Sequence, residues 1–169
     1  MQRYYLSIDI GGTAIKSARI DHSGNIITTD QLPTPQRADD FLAALAQLIH
    51  ASQDVHAVCV SVPGIVNPTT GQVEFTGAHG FMGEFNLAEY VRRLTELPVY
   101  VGNDANCATL AEMWLGNLTT VANGAVVTLG TSVGGGLMIN GQLLAGPHFR
   151  AGEISAIVNN YDHLDPHEA

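Results

Sequence analysis

The pattern of apolar and polar positions divides the chain into short strands first and helices after them. Tyr4–Ile10 is apolar and β-rich, Lys16–Ile20 continues as a second strand, and Ile26–Leu32 reads as a third beyond the turn cluster Asp21–Asn25. Pro33 and Pro35 end this run of antiparallel hairpins. Phe41, Leu42, Leu45, Leu48 and Ile49 then recur on one helical face, with Asp39 and Asp40 at the positive end. Ala57–Val62 predicts a short buried strand. The stretch from Pro63 to Gly83 reads as a long loop, a length that usually carries function. Asn86-x-x-Glu89 resembles a capping box, and Leu87, Tyr90, Val91, Leu94 and Leu97 repeat helically up to Pro98. Val99–Val101 is another strand, and Ala105–Leu115 another helix with Ala108, Ala111, Trp114 and Leu115 available to one face.

The composition shifts at Gly116–Gly124, which places a domain boundary near Thr119, between residues 1–118 and 119–169. Beyond it come a strand at Ala125–Leu129, a glycine loop, a strand at Gly136–Ile139, an Asn140-Gly141 turn and one more strand. These last fifty or so residues are too few for a core of their own. The plan strand, Gly and Thr at the bend, strand, polar turn, strand appears twice, in IDIGGTAIKSARIDHSGNI and in VTLGTSVGGGLMINGQLL. Two related halves, each presenting a glycine loop, are therefore expected.

Bulk properties narrow the classes. At 169 residues, 46% hydrophobic and 14% charged, the chain can bury a core and reads as globular. A net charge of −9 with seven Lys and Arg leaves no basic stripe for a phosphate backbone, so no nucleic-acid partner is expected. Cys59 and Cys107, the two cysteines, sit in apolar runs and read as buried thiols of a cytoplasmic protein. No secretory leader and no apolar run of membrane-spanning length is visible, so no membrane partner is expected.

Candidate chemistry sits at the bends. Backbone N–H groups in a glycine-rich bend can converge on an anion, and threonine adds a hydroxyl donor. Gly11-Gly12-Thr13 alone is equally a hairpin bend; its pairing with Gly130-Thr131 favours two loops gripping a polyphosphate from both sides. Neither loop fits GxGxxG or GxxxxGK[ST], which disfavours a Rossmann or Walker site. Asp9, at a strand end beside the first loop, is placed where a carboxylate organises Mg²⁺, often through water. Lys16 is in reach of a phosphate, although a solvated strand lysine is the simpler reading. Asn103-Asp104 lies between a strand and a helix; a carboxylate there feels the helix N-terminus, which favours its charged form, and can take a hydroxyl proton. An isolated Asn-Asp would be read as an ordinary N-cap. Glu153 follows a glycine in a loop of its own.

Together these residues resemble the ROK family of bacterial sugar kinases and sugar-responsive repressors. DIGGTAIK (Asp9–Lys16) looks like its first phosphate motif and VPGIVNPTTGQV (Val62–Val73) like its sugar-domain loop. GNDANCATLAE (Gly102–Glu112) looks like the segment with the catalytic aspartate, GTSVGGGLMINGQLLAG (Gly130–Gly146) like the second phosphate loop, and AGEIS (Ala151–Ser155) like the sugar-contacting Gly-Glu segment. The resemblance implies an α/β, actin-like ATPase (ribonuclease H-like) fold with a mixed sheet, plus the opening strands of a second similar domain. It implies Asp104 as general base on a sugar hydroxyl, with Asn103, Glu153, Gly64 and Gly77 at the sugar. It implies Gly11, Gly12, Thr13, Lys16, Gly130 and Thr131 around the ATP phosphates, and Asp9 near Mg²⁺. The stretch Phe75–Phe85 is expected to shape the sugar pocket, with Gly77, Ala78 and His79 as candidate ligand contacts that the spacing does not fix.

Three departures qualify the resemblance. Where many members continue Gly-Glu-x-Gly-His, this chain has Ser155 and Ala156, and the cysteine-rich zinc motif is absent, so no zinc site is expected; His163 and His167 fall short of a closed one. Family members are longer, their second domain completing the adenine pocket, so a truncated chain is expected, with turnover in question. The family's repressors carry a winged helix ahead of the first phosphate motif, whereas here the first strand starts at about residue 3, so a regulator of that kind is not expected. The expected function is an ATP-dependent kinase acting on a hexose or glucoside, with a homodimer as the assembly the resemblance implies. The alternatives are a non-catalytic sugar-binding remnant and a regulatory protein.

Overall fold

A computed structural model describes residues 3–52, 54–75, 77–130 and 132–154. Strands β1 (Tyr4–Ile10), β2 (Ala14–Asp21) and β3 (Ile26–Pro33) form an antiparallel meander. The β2–β3 turn is closed by Asp21, whose carboxylate accepts from the Ser23 and Asn25 backbone N–H groups at 2.9 Å. Helix α1 (Ala38–His50) follows, then β4 (Val58–Val62), parallel to β1. The segment read as one long loop instead holds β5 (Ile65–Val66), β6 (Gln72–Glu74) and a 3₁₀ helix at Gly77–Met82, and β5 and β6 form a small antiparallel sheet with β7 (Glu84–Asn86), which follows directly. Helix α2 (Leu87–Leu94) returns the chain to β8 (Val99–Asn103), parallel to β4, and helix α3 (Asp104–Leu115) leads out of it. The five-stranded sheet runs β3-β2-β1-β4-β8. A second sheet, β11-β10-β9, is built from β9 (Gly124–Leu129), β10 (Val133–Ile139) and β11 (Gln142–Leu143).

Period-two alternation decides what lies on each face. Leu6, Ile8 and Ile10 of β1, Val58, Val60 and Val62 of β4, and Val99 and Val101 of β8 are buried against Phe41, Leu45, Leu48 and Ile49 of α1 and Leu87, Ala88 and Val91 of α2. Their neighbours Ser7, Asp9, Cys59, Ser61 and Gly102 face the other way, so β4 is covered by the core on one face only, unlike the fully buried strand its composition suggests. Helix α3 lies on that second face: a Cβ on Gly102 would stand 2.7 Å from the Cys107 sulfur. The second sheet packs on the far side of α3.

Two boundaries differ from the sequence pattern. Helix α2 stops at Leu94, because Thr95 is extended and its Oγ1 accepts from Leu97 N–H, which turns Leu97 toward the core. Strand β10 begins at Val133, three residues earlier than Gly136, so Gly134 and Gly135 are strand residues. Close approaches leave no room for side chains there: a Cβ on Gly134 would reach 3.0 Å from the Ala105 Cβ, one on Gly135 2.5 Å from the Gly152 carbonyl oxygen, and one on Gly136 3.0 Å from the Ala105 carbonyl oxygen. No helix among the described residues is long and apolar enough to cross a membrane.

Candidate active site

The parallel strands β1, β4 and β8 all end on one edge of the main sheet, and the crevice outside such strand ends is where open α/β sheets bind ligands. A cavity of about 610 Å³ opens there. Asp9, Gly11 and Gly12 enter it from the end of β1, Gly64 from the turn after β4, and Asn103 and Asp104 from the β8–α3 junction. Gly130, Ser132 and Gly134 of the second sheet form the opposite wall, with Glu153 beside them. Residues from five separate sequence motifs thus share one space.

Each group is held by contacts that local sequence does not announce. In the first loop, Gly11 N–H donates to Ala14 O at 3.0 Å, and the half-turn is tied down by Thr34, whose hydroxyl donates to Gly11 O at 2.6 Å and whose N–H donates to Thr13 O. Asp9 accepts from the Ser61 hydroxyl at 3.0 Å across the β1–β4 pair. Asn103 is the N-cap of α3: its Oδ1 accepts from Asn106 N–H at 3.0 Å while its Nδ2 donates to Gly64 O at 3.1 Å. One buried amide therefore fixes both the helix start and the turn after β4. In the second loop Gly130 N–H donates to Ser132 O, and the Gly134 and Gly136 approaches to α3 fix that loop relative to Asp104. Glu153 follows Gly152, which has φ 86°; Arg150 of the same turn is ion-paired with Glu74 of β6 at 3.1 Å.

Asp104 opens α3, and its carboxylate accepts from the adjacent Ala105 N–H at 2.8 Å. The helix terminus was expected to favour its charged form, yet its pKa lies above the usual aspartate value. Desolvation by the cavity walls is the largest cause, and the nearby Asp9 charge adds to it; together they outweigh the N–H groups. A raised pKa makes a carboxylate a better proton acceptor. On the far side of α3, burial pushes the Cys107 thiol up to about 11, with the Asp104, Cys59 and Asp9 charges contributing.

Not every expected residue converges. Thr13 and Lys16 are exposed and do not line the cavity; Lys16 lies on β2 directly opposite Asp9 and borders a neighbouring groove with Asp30 and Gln31. Gly77 opens the 3₁₀ helix that brings His79 to the cavity. Thr131, Ser155, Ala156, His163 and His167 lie outside the described residues. Thr34 and Ser61, absent from the sequence-derived set, steady the first loop and Asp9; a hydroxyl near a glycine turn is too common a signal to find them.

Two glycine bends facing each other across a cleft, with a carboxylate at the strand end beside one of them, suit the actin-like ATPase fold, and solved structures bear out that fold. The chain superposes with a TM-score of 0.84 and 32% identity on a ROK family glucokinase from Streptomyces griseus crystallised with glucose and AMPPNP, covering 91% of this chain and 50% of that one. The ROK family model matches residues 5–162, and the chain belongs to this family. Relatives include a β-glucoside kinase of Listeria monocytogenes, 42% identical over 88% of this chain and 51% of its own length. A glucokinase of Halalkalibacterium halodurans is 34% identical over 92% of this chain and 50% of its own length. The chain thus spans about half the length of the curated relatives it matches.

Proposed function

We propose that the protein is an ATP-dependent sugar kinase of the ROK type that transfers the γ-phosphate to a hydroxyl of a hexose or glucoside. The observation that carries the reading is the single cavity in which Asp9, both glycine loops, the Asn103-Asp104 pair and Glu153 meet. Asn103, Glu153 and the backbone at Gly64 hold sugar hydroxyls, Gly77 contributes only as the start of the helix that carries His79 to the cavity, and Asp104 accepts the proton of the hydroxyl that attacks. The bends at Gly11-Gly12 and Gly130, which line the cavity from opposite walls and are braced internally by the Gly11 N–H to Ala14 O and Gly130 N–H to Ser132 O bonds, flank the phosphates. Because phosphoryl transfer asks mainly for positioning and charge neutralisation, a rigid pair of loops facing a fixed base is well matched to it.

The carboxylates also suit a Mg²⁺ ion, which takes one or two carboxylates and keeps several waters. Asp9 is exposed at the cavity edge with one oxygen already oriented by Ser61, and its charge reaches Asp104. When bound with the nucleotide, the ion neutralises phosphate charge. Residues 119–169 are, in this reading, the start of a second domain built on the same plan as the first; their separate sheet and its glycine bend support that assignment. The cytoplasm, where ATP is available, is the compartment implied.

Turnover by this chain, half the length of its relatives, is itself part of the proposal. A coupled ADP-release assay with ATP, Mg²⁺ and a panel of glucose, mannose, N-acetylated hexosamines and β-glucosides tests it, with Asp104→Ala as control. Sugar-dependent ADP release that the substitution lowers by about 10²–10⁴-fold is the expected result. Release that survives Asp104→Ala removes the assigned base, and no release with any sugar reduces the reading to sugar binding at most.

A further inference from the structure

His79 sits in a setting that the protein itself leaves incomplete. The side chain is 1% exposed, and its Nε2 has no hydrogen-bond partner. Its imidazole is enclosed by Phe41, Phe75 and Phe81, with ring centroids 5.9, 6.3 and 6.2 Å away, none of which can accept or donate a conventional hydrogen bond. Leaving a buried polar atom unpaired is costly, and native proteins rarely do so without a reason. His79 also lines the cavity that holds Asn103, Asp104 and Glu153.

The position is built rather than incidental. The 3₁₀ helix that carries His79 is clamped at its ends, where Phe75 N–H donates to Gly83 O at 3.0 Å and β6 pairs with β7 through Glu74 and Glu84. Phe75 in turn underlies Gly64, whose missing Cβ would stand 3.2 Å from the Phe75 Cα, and Gly64 O is held by Asn103. His79 is thereby coupled to the Asn103 end of the cavity. Burial lowers its pKa, so the ring is neutral although three carboxylates line the same space. A neutral imidazole nitrogen either donates or accepts according to tautomer, and a hydroxyl satisfies both.

We propose that His79 is a specificity-determining residue of the sugar site, its Nε2 pairing with one ring hydroxyl of the bound hexose. The inference rests on the reading of the cavity as a sugar site. A pocket that has committed a buried polar atom to a ligand hydroxyl discriminates strongly against the analogue lacking it, because that atom is then left unpaired.

The test is calorimetric titration of the 169-residue chain and its His79→Leu and His79→Gln variants. The ligands are glucose, mannose, N-acetylglucosamine and cellobiose, followed by the monodeoxy analogues of the tightest binder. Expected is a roughly tenfold or greater loss of affinity in His79→Leu, partly recovered in His79→Gln, which retains a polar group. One deoxy analogue is expected to bind wild type and His79→Leu equally. Thermal unfolding of ligand-free His79→Leu is expected at or above the wild-type temperature, since an unpaired polar atom has been removed, which separates the effect from misfolding. Equal affinity of wild type and His79→Leu for every sugar, with binding lost in Asn103→Ala, overturns the role of His79 and leaves the sugar site standing. A loss that is the same for every deoxy analogue also overturns it, pointing to pocket shape rather than to one hydroxyl. No hexose binding by wild type overturns both the sugar reading and this one.

Discussion

Gly136→Ala tests whether the second glycine loop is held in place by direct contact of β10 with α3. The added Cβ would overlap the Thr109 hydroxyl and lie 3.0 Å from both the Thr109 Cβ and the Ala105 carbonyl oxygen. The hydroxyl cannot simply rotate away, because it donates to Ala105 O at 2.8 Å, and the carbonyl belongs to a helix backbone. Overpacking of this kind costs about 1–3 kcal/mol. Replacing glycine by alanine returns roughly 0.5–1 kcal/mol by restricting the unfolded chain. The net expectation is a loss of about 1–2 kcal/mol, which at a urea m-value of about 2 kcal/mol/M moves the midpoint down by roughly 0.5–1 M. The single tryptophan, Trp114, lies on α3 and reports the transition by fluorescence. Adding Thr109→Ala removes the overlapping oxygen, so the double variant should be less destabilised than the sum of the singles by about 1 kcal/mol. Gly80→Ala, where a Cβ meets nothing within 4 Å, is the control. If Gly136→Ala costs no more than Gly80→Ala, or if the two α3–β10 changes add without coupling, the close-approach argument is refuted.

Other substitutions probe the remaining supports. Thr34→Val removes the hydroxyl that binds Gly11 O and should cost about 1 kcal/mol in urea unfolding, with faster amide exchange at residues 11–13 while exchange in α2 is unchanged. Asp104→Asn should stabilise the protein at neutral pH. The folded-state pKa of Asp104 is raised, so the folded chain binds this proton more tightly than the unfolded chain. Stability therefore falls as pH rises from the ordinary value of 3.8 through the folded pKa, and the variant's advantage disappears as the pH is lowered below 3.8. Thermal unfolding from pH 3 to 8 reads this out, and an advantage independent of pH would remove the desolvation argument. Cys107, with its pKa near 11, should react with iodoacetamide at pH 8 about tenfold or more slowly than an ordinary thiol. Equal rates, followed by mass spectrometry of the folded chain, would contradict the burial of that thiol.

The parts legible in the sequence were those governed by neighbours along the chain. The β1–β3 meander, the apolar stripe of α1 and the capping of α2, where Asn86 accepts from Glu89 N–H, all follow from spacing over a few residues. The Asn103-Asp104 junction was legible for the same reason. What escaped depends on partners far away in sequence. Gly134 and Gly135 read as loop because glycine disfavours strands, yet close approaches to Ala105 of α3 and to the Gly152 carbonyl demand glycine there. The small sheet within 65–86 consists of strands of two and three residues, too short for any period to show. Thr34 meets Gly11 across 23 positions and Ser61 meets Asp9 across 52, separations at which no local pattern survives. The sign of the Asp104 shift was missed because the sequence announces the helix terminus but not the walls that desolvate the carboxylate or the charge of Asp9 facing it.

The placement of Asp9 shows how the core enforces the site. Asp9 stands between Ile8 and Ile10, which are 0% and 1% exposed, and it is paired laterally with Ser61 on β4 and Lys16 on β2. Because side chains alternate, sliding β1 by one residue against its neighbours would drive the carboxylate into the layer of Phe41 and Leu45 and expose two isoleucines. The cost of burying an unpaired carboxylate and exposing that apolar surface makes the slip inaccessible. The same alternation on β8 buries Val99 and Val101 and places Asn103 at the strand's end, where its amide secures Gly64. The core therefore does more than stabilise the domain: it sets the register that aims Asp9 and Asn103 into one crevice, so site geometry and fold stability are parts of a single constraint.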